Sequence, residues 1–168
     1  MPRPQRLLSF LGILLWSAVG FQAQASAASV VGSVSRVQNQ AQVGGANAAV
    51  GSSVHMGDAL QTGANARLEV TFIDDTRLTL GENARVVIDR YVYDPDRSIG
   101  AMALKSTRGA LRFATGKIHD MNKKDVTVST PAAALAVRGT EFWMGPINGQ
   151  YGALLLKGKV RVSGHRER

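Results

Sequence analysis

The most informative pattern of hydrophobic and polar positions lies in residues 125–144, DVTVSTPAAALAVRGTEFWM. Val126 and Val128 alternate with hydroxyl side chains, which is the period-2 pattern of a strand with one buried face. Pro131 lacks a backbone N–H group and interrupts the ladder that this strand could form. The pattern therefore predicts one strand that ends before Pro131 and a second strand after it.

The second strand changes the phase of its apolar face partway along. Leu135 and Val137 occupy odd positions, whereas Phe142 and Met144 occupy even positions. One extra residue must be accommodated between the two pairs, and a β-bulge does this. Gly139 lies in the interval and adopts positive φ readily, so we predict a bulge at Gly139.

Alternating patterns elsewhere predict further strands joined by short turns. Residues 66–80 are predicted to form a hairpin, because two alternating runs flank the turn-forming pair Asp74-Asp75. Asn148-Gly149 predicts a hairpin turn of type I′. Additional strands are predicted at residues 86–93, 110–118, 154–156 and 160–162. The predicted fold class is all-β, with many short strands.

The N-terminus has the pattern of a secretory signal peptide. Arg3 and Arg6 are basic, residues 7–21 are apolar, and small residues precede a cleavage site after Ala27. The apolar stretch is shorter than the roughly 20 residues of a membrane-spanning helix. We therefore predict that residues 1–27 form a signal-peptide helix that is removed on export to the periplasm. The alternative is an uncleaved signal that tethers the protein to the inner membrane.

Six strings resemble, in order, the FecR-like domain family of exported β-domains. They are VGSVSRV, GDALQTGANARLEVTFIDDTRLTL, VVIDRYVYDP, KSTRGALRFATGKI, TPAAALAVRGTEF and LLLKGKVRVSG. The resemblance implies a β-roll or solenoid-like sandwich over residues 28–162, followed by a basic tail at residues 163–168. It also implies a periplasmic binding or signal-sensing role in a Gram-negative bacterium. No cytoplasmic segment precedes the apolar stretch, so we expect a stand-alone periplasmic domain.

Charge is distributed unevenly along the chain. Residues 28–100 hold 6 Lys and Arg against 8 Asp and Glu, whereas residues 101–168 hold 12 against 4. A basic C-terminal half favours an acidic partner, although a solvated basic face is the alternative. We expect an envelope or outer-membrane protein as partner, with an acidic surface or an anionic lipid as the other options. For an exported protein we expect no nucleic acid partner, and no transmembrane segment after signal cleavage.

Residues capable of catalysis or metal binding are sparse. The chain has no cysteine, so neither disulfides nor thiol chemistry contribute. Its 3 histidines are far apart and lack the spacing of metal ligands. Asp74-Asp75 and the Asp94/Asp96 pair could bind calcium, but Asp is equally typical of turns. We expect no catalytic residues, no cofactor and no metal.

Arg138 lies beside the predicted bulge in an otherwise apolar strand. A buried guanidinium group requires a partner, so we predict that Asp89 or Glu141 holds Arg138 and locks the bulge. The alternative is that the bulge turns Arg138 outward to an acidic group on another protein. Trp143 and Tyr151 flank the predicted turn and form a second candidate surface, with cross-strand packing as the alternative. The candidate partner-binding or bulge-locking residues are Arg138, Gly139, Thr140, Glu141, Trp143 and Tyr151.

Two classes of function remain open on this basis. The first is a non-catalytic binding or signal-sensing regulatory module with an envelope protein partner. The second is an envelope enzyme acting on glycans or lipids. Alanine substitution of Glu141, Asp74 and Asp94 distinguishes them, because a hydrolase loses turnover and a binding module keeps its partner.

Overall fold

The computed structural model describes residues 28–131, 133–148 and 150–164. The predicted signal peptide and residues 165–168 of the predicted tail lie outside the described residues. The described residues form 13 strands and one 3₁₀ turn, Lys117–Asp120, which confirms the predicted all-β class. The strands are β1 (Val30–Gln38), β2 (Ala41–Val43), β3 (Ala46–Asn47), β4 (Ser53–His55), β5 (Ala59–Thr62), β6 (Arg67–Phe72), β7 (Arg77–Leu80), β8 (Arg85–Asp94), β9 (Ile99–Arg108), β10 (Leu111–Ala114), β11 (Lys123–Ser129), β12 (Ala133–Ile147) and β13 (Gln150–Gly164).

Alternation in the sequence corresponds to alternation in burial. Along β6 the apolar residues Leu68, Val70 and Phe72 are buried, and the residues between them are exposed or half-buried. β7 pairs antiparallel with β6 and buries its own leucines in the same way. Asp75 has φ 63° in the connecting turn, which confirms the predicted hairpin.

All of the strands belong to one sheet that divides at β12. Its order is β3-β2-β5-β8-β9-β11-β12-β10-β7-β6-β1-β4, and β13 pairs with β12 outside this path. β11 pairs with residues 134–136 of β12 and β10 with residues 141–144, while β13 pairs along the whole of β12. β10 and β11 therefore share one edge of β12, and two arms of the sheet begin there.

The two arms curl toward each other and enclose the core. Phe72 on β6 stacks on Tyr91 on β8, with ring centroids 5.5 Å apart, so strands from different arms are in contact. Phe113 and Phe142 pack together where β10 joins β12. This curled sheet, with apolar side chains inside, confirms the predicted roll or sandwich. β12, paired with β13, lies where the two arms of the sheet join.

Two predicted strands have different bounds in the structure. β10 ends at Ala114, and the buried Ile118 lies in the 3₁₀ turn instead of a strand. The predicted strands at residues 154–156 and 160–162 are one continuous strand, β13. Gly158 does not break β13, because its φ of 88° accommodates an irregularity within the ladder. β13 also includes Ser163 and Gly164, the first residues of the predicted tail.

Candidate binding surface on the C-terminal hairpin

β12 and β13 form an antiparallel hairpin with a two-residue turn. Ile147 pairs with Gln150, and Asn148 has φ 50° between them. Positive φ is what a primed hairpin turn requires and what asparagine tolerates. The predicted hairpin between Trp143 and Tyr151 is therefore confirmed.

The predicted bulge at Gly139 is also present. The register shifts between Arg138 and Glu141, and Gly139 has φ 58°. The buried face changes from Val137 to Thr140 across it. Gly158 stands opposite on β13, and a Cβ atom there would overlap the carbonyl oxygen of Gly139. The bulge therefore needs a glycine on each strand, and the pattern of apolar residues predicted only the first.

Thr140 holds the bulge in place. Its hydroxyl group donates to the carbonyl oxygen of Lys159 at 2.8 Å and accepts from the N–H group of Arg138 at 3.2 Å. On the other side, the hydroxyl group of Thr115 donates to the carbonyl oxygen of Thr140 at 2.9 Å. Thr140 is buried, and these bonds satisfy its hydroxyl group and its carbonyl oxygen. A threonine therefore locks the bulge by linking three segments of chain.

The predicted ion pair of Arg138 with Asp89 or Glu141 was wrong. Arg138 is exposed, so its guanidinium group needs no buried partner. Asp89 pairs with Lys105 at 2.7 Å, and Glu141 pairs with Arg112. Arg138 precedes the bulge and continues the alternation of Leu135 and Val137, which are buried, so its side chain lies on the outward face of β12.

Three cations gather beside the bulge on the hairpin. Arg138 stands directly opposite Lys159, and Ala136 stands opposite Arg161. The three basic side chains line a shallow depression of about 310 Å³. Among the described residues, none of the three forms an ion pair. Because like charges on opposed residues repel each other, this cluster favours an anionic neighbour.

Apolar side chains occupy the hairpin closer to its turn. Trp143 pairs with Leu154 and lines, with Leu154 and Leu156, a groove of about 420 Å³. Tyr151 is opposite Pro146 instead of Trp143, and its hydroxyl group donates to the carbonyl oxygen of Gly109 at 2.9 Å. Trp143 and Tyr151 therefore belong to different parts of the hairpin, and their rings do not form the cross-strand pair weighed as the alternative.

Glu141 lies in a shallow trough on the outer face of β7, β10 and β12. Nε of Arg112 donates to Oε1 of Glu141 at 2.8 Å, and Arg77 lines the same trough. Glu141 therefore contributes an anchored negative charge to the surface.

Asp74 is fully buried, and its carboxyl group is the centre of a hydrogen-bond network. Its side-chain oxygens accept hydrogen bonds from the hydroxyl groups of Thr76 at 2.5 Å and Tyr91 at 2.9 Å, and from the N–H group of Ile118 at 3.2 Å. Burial, reinforced by the charge of Asp74, raises the pKa of Tyr91. Protein donors already surround this carboxyl group, so it is not a free calcium ligand. The alternating pattern identified the turn but did not reveal this network.

The neighbouring charges at this turn are exposed. Asp75 and Lys117 form an ion pair at 2.7 Å, and the hydrogen bond with Asp75 raises the pKa of Lys117. In a separate turn between β8 and β9, the half-buried Asp94 accepts from the N–H group of Arg97 at 3.0 Å, which is the ordinary role of Asp in a turn. Within the described ranges, no group of three or more His, Asp or Glu residues is arranged to hold a metal ion.

The described part of the chain contains no helix of sufficient length and apolarity to cross a bilayer.

Similarity to known proteins identifies the family of this fold. The family model described as FecR protein matches residues 58–161. β1 to β4 precede that range, but β1 pairs with β6 inside it, so they belong to the same sheet. A search among curated proteins finds no match.

Two solved structures of a proposed anti-sigma factor from Parabacteroides distasonis ATCC 8503 are similar to the chain. One is 17% identical with a TM-score of 0.52, and the other is 19% identical with a TM-score of 0.48. Each match covers 65% of this chain and 48% of the solved chain, so this protein spans about half the length of those structures. At this identity the likeness concerns the fold. Since the family model covers more than half of the chain, the protein belongs to the FecR family.

Proposed function

We propose that this protein is a non-catalytic regulatory or signal-sensing module that acts in the periplasm by binding an envelope protein through the β12–β13 hairpin. The predicted signal peptide supports export. The family supports a regulatory role, and so does the description of one solved structure with this fold as a proposed anti-sigma factor.

The observation that carries this proposal is the exposure of leucines on β13. Leu154, Leu155 and Leu156 are 56%, 48% and 48% exposed, and none of them belongs to the cluster of buried apolar residues that forms the core. Single exposed apolar residues are normal on protein surfaces, but a contiguous set next to an exposed groove is typical of an interaction site. The groove beside Trp143 extends this apolar area onto β12.

The carboxyl groups that a hydrolase would need have other partners. Glu141 is paired with Arg112, Asp94 holds a turn, and Asp74 is enclosed by hydrogen-bond donors. These contacts support binding over hydrolysis of glycans or lipids. They also change the alanine test, because loss of Asp74 disrupts folding whether or not the protein is an enzyme. Only Glu141 and Asp94 remain suitable for it.

Location is tested by fractionation of cells that express the chain with a C-terminal tag. We expect release by osmotic shock and a mass that corresponds to cleavage after Ala27. A tagged protein that stays with the membranes at its uncleaved mass would favour the tethered alternative. Retention in the cytosol would contradict periplasmic action.

Binding is tested by cross-linking and pull-down from envelope extract. We expect one envelope protein to be captured by the native protein and lost with the double variant Leu154→Thr and Leu156→Thr, which keeps β-forming residues on the strand. Val50→Thr changes an exposed apolar residue elsewhere and serves as the matched control. Failure to capture any protein at any salt concentration, together with turnover of a cell-wall substrate, would overturn the proposal.

A further inference from the structure

We propose that the free edge of β13 receives an extended segment of the partner protein as an added antiparallel strand, and that this segment has acidic residues followed by apolar ones. The inference rests on the proposed binding function and specifies the mode of contact and the chemistry of the partner. It depends on three features of β13: its unpaired backbone edge, the confinement of charged side chains to one half of that edge, and the positive sign of those charges.

The first feature is a long backbone edge without a partner. β13 has 15 residues and pairs with β12 along one edge. In the part of the chain that the structure describes, no strand pairs with its other edge. At about 3.3 Å per residue this edge extends over roughly 50 Å. Its N–H and C=O groups form a template on which another strand can pair.

The second feature is that only half of this edge is protected against unwanted pairing. Charged side chains on an edge strand discourage association, and Lys157, Lys159 and Arg161 provide them in the second half of β13. The first half has the sequence Ala153-Leu154-Leu155-Leu156 and no charge. Leu154 and Leu155 point to opposite faces of the strand, yet both are about half exposed, so neither face is covered there. An unprotected apolar edge of this kind favours a specific occupant.

The third feature is the sign of the charge. β13 has three basic residues and no acidic residue, and Arg138 adds a fourth cation opposite Lys159. Glu141 is opposite Lys157, but it already pairs with Arg112. An acidic strand would relieve the repulsion between these cations. A second copy of this chain on the same edge would instead add three cations to those present, so charge disfavours self-pairing.

The direction of the added strand determines the order of residues in the segment. Antiparallel ladders are slightly more stable per residue than parallel ones. In that direction, the residues opposite Arg161 and Lys159 precede those opposite the leucines. Lys159 and Arg161 are two residues apart and line the same depression, so acidic residues at alternating positions face both of them. The expected pattern is acidic-x-acidic, followed by apolar β-forming residues.

Synthetic peptides test this pattern on the purified protein. The probe is a fluorescein-labelled ten-residue peptide with alternating Glu and Val in its first half and Val, Thr and Leu in its second half. We expect saturable binding by fluorescence anisotropy, at least tenfold weaker when Lys replaces Glu. A third peptide, with Pro at alternate positions, lacks the N–H groups for a ladder and is also expected to bind at least tenfold more weakly. Equal binding of the Pro peptide would overturn strand addition, and no binding of the Glu peptide would overturn the whole inference.

A matched pair of charge-reversed variants locates the contact. One variant combines Lys157→Glu, Lys159→Glu and Arg161→Glu, and we expect it to lose at least tenfold in affinity for the Glu peptide. The control combines Arg36→Glu, Arg108→Glu and Lys123→Glu, three exposed residues on other strands, and has the same change in net charge. Circular dichroism verifies that both are folded. Equal losses in the two variants would indicate general attraction and contradict a site on β13.

Three further outcomes bear on this inference and on the proposed function. Capture of an envelope protein by the native protein and equally by the β13 charge-reversed variant would leave the binding function in place and overturn the assignment to this edge. Absence of any captured protein would overturn the binding function itself. A dimer in sedimentation experiments that dissociates with the β13 variant would identify a second copy as the occupant and contradict the acidic partner.

Discussion

Substitution of Gly116 by alanine tests how much the buried Asp74 network contributes to stability where the β6–β7 turn meets the chain that follows β10. A Cβ atom at Gly116 would overlap the carbonyl oxygen of Asp74 and the backbone nitrogen of Thr76. Both are backbone atoms of a tight turn and cannot rotate away. The chain must therefore separate from the turn, and hydrogen bonds between the two segments are lost.

Three hydrogen bonds join these segments. The N–H group of Gly116 donates to Oγ1 of Thr76 at 2.9 Å, that of Lys117 to the carbonyl oxygen of Asp74 at 2.6 Å, and that of Ile118 to Oδ2 of Asp74 at 3.2 Å. At about 1 kcal/mol each, their loss reduces the free energy of unfolding by about 3 kcal/mol. For a domain of this size that corresponds to a decrease in Tm of roughly 10 °C.

Thermal and urea unfolding followed by circular dichroism measure the effect. Gly63→Ala is the matched control, because a Cβ atom there would meet Gln40 at 3.5 Å, an ordinary contact, and φ is not positive. We expect this control to be neutral or up to about 1 kcal/mol more stable, since alanine reduces the entropy of the unfolded chain. If Gly116→Ala and Gly63→Ala differ by less than about 0.5 kcal/mol, the network does not contribute as described.

Three other predictions concern the lock at the bulge, alkaline pH and the surface ion pair. Thr140→Val removes the hydroxyl group at nearly constant volume and leaves the carbonyl oxygen of Lys159 without its donor, so the free energy of unfolding measured in urea should fall by about 2 kcal/mol. Thr140→Ser keeps the hydroxyl group and should keep most of this stability. Because the pKa of Tyr91 is raised in the folded protein, the unfolded chain loses this proton first, and the free energy of unfolding should fall as pH increases above about 10. Tyr91→Phe should be less stable at neutral pH but should show a smaller decrease at alkaline pH in the same titration. Glu141→Gln breaks an ion pair with Arg112 whose side chains are 29% and 57% exposed, so the change in unfolding free energy should stay below about 1 kcal/mol; a larger loss would contradict its description as a surface contact.

The strands and turns could be predicted because their causes lie within a few residues. Alternation of apolar side chains identified β6 and β7, and Asn148 identified the hairpin turn. The change of phase identified the bulge at Gly139, since a strand with one buried face cannot accommodate an extra residue otherwise. β13 was predicted as two strands because a glycine between two apolar runs, such as Gly158, is typical of a strand end. Gly158 forms part of a bulge instead, which becomes apparent only when it is paired with Gly139.

The candidate surface was only partly predictable, because exposure depends on which strands become neighbours. Arg138 was expected to be buried with a carboxylate partner, but it lies on the outward face of β12, next to the buried Val137, and Glu141 pairs with Arg112 on β10. The exposed leucines of β13 have the same apolar alternation as a buried strand. Nothing in their sequence shows that β13 lies at an edge.

The all-β class, the family, the positions of the turns and the uneven distribution of charge could be read from the amino-acid sequence, since each of these depends on composition or on residues close together in the chain. The burial of Asp74, the ion pair of Glu141 with Arg112 and the free edge of β13 depend instead on how distant strands pair. The hydrogen bonds of Asp74 reach Tyr91 on the other arm of the sheet and Ile118 in the 3₁₀ turn, 17 and 44 positions away, and these segments meet only after the strands have paired. A local pattern reports which face of a strand is apolar, and the assembled sheet determines what covers that face.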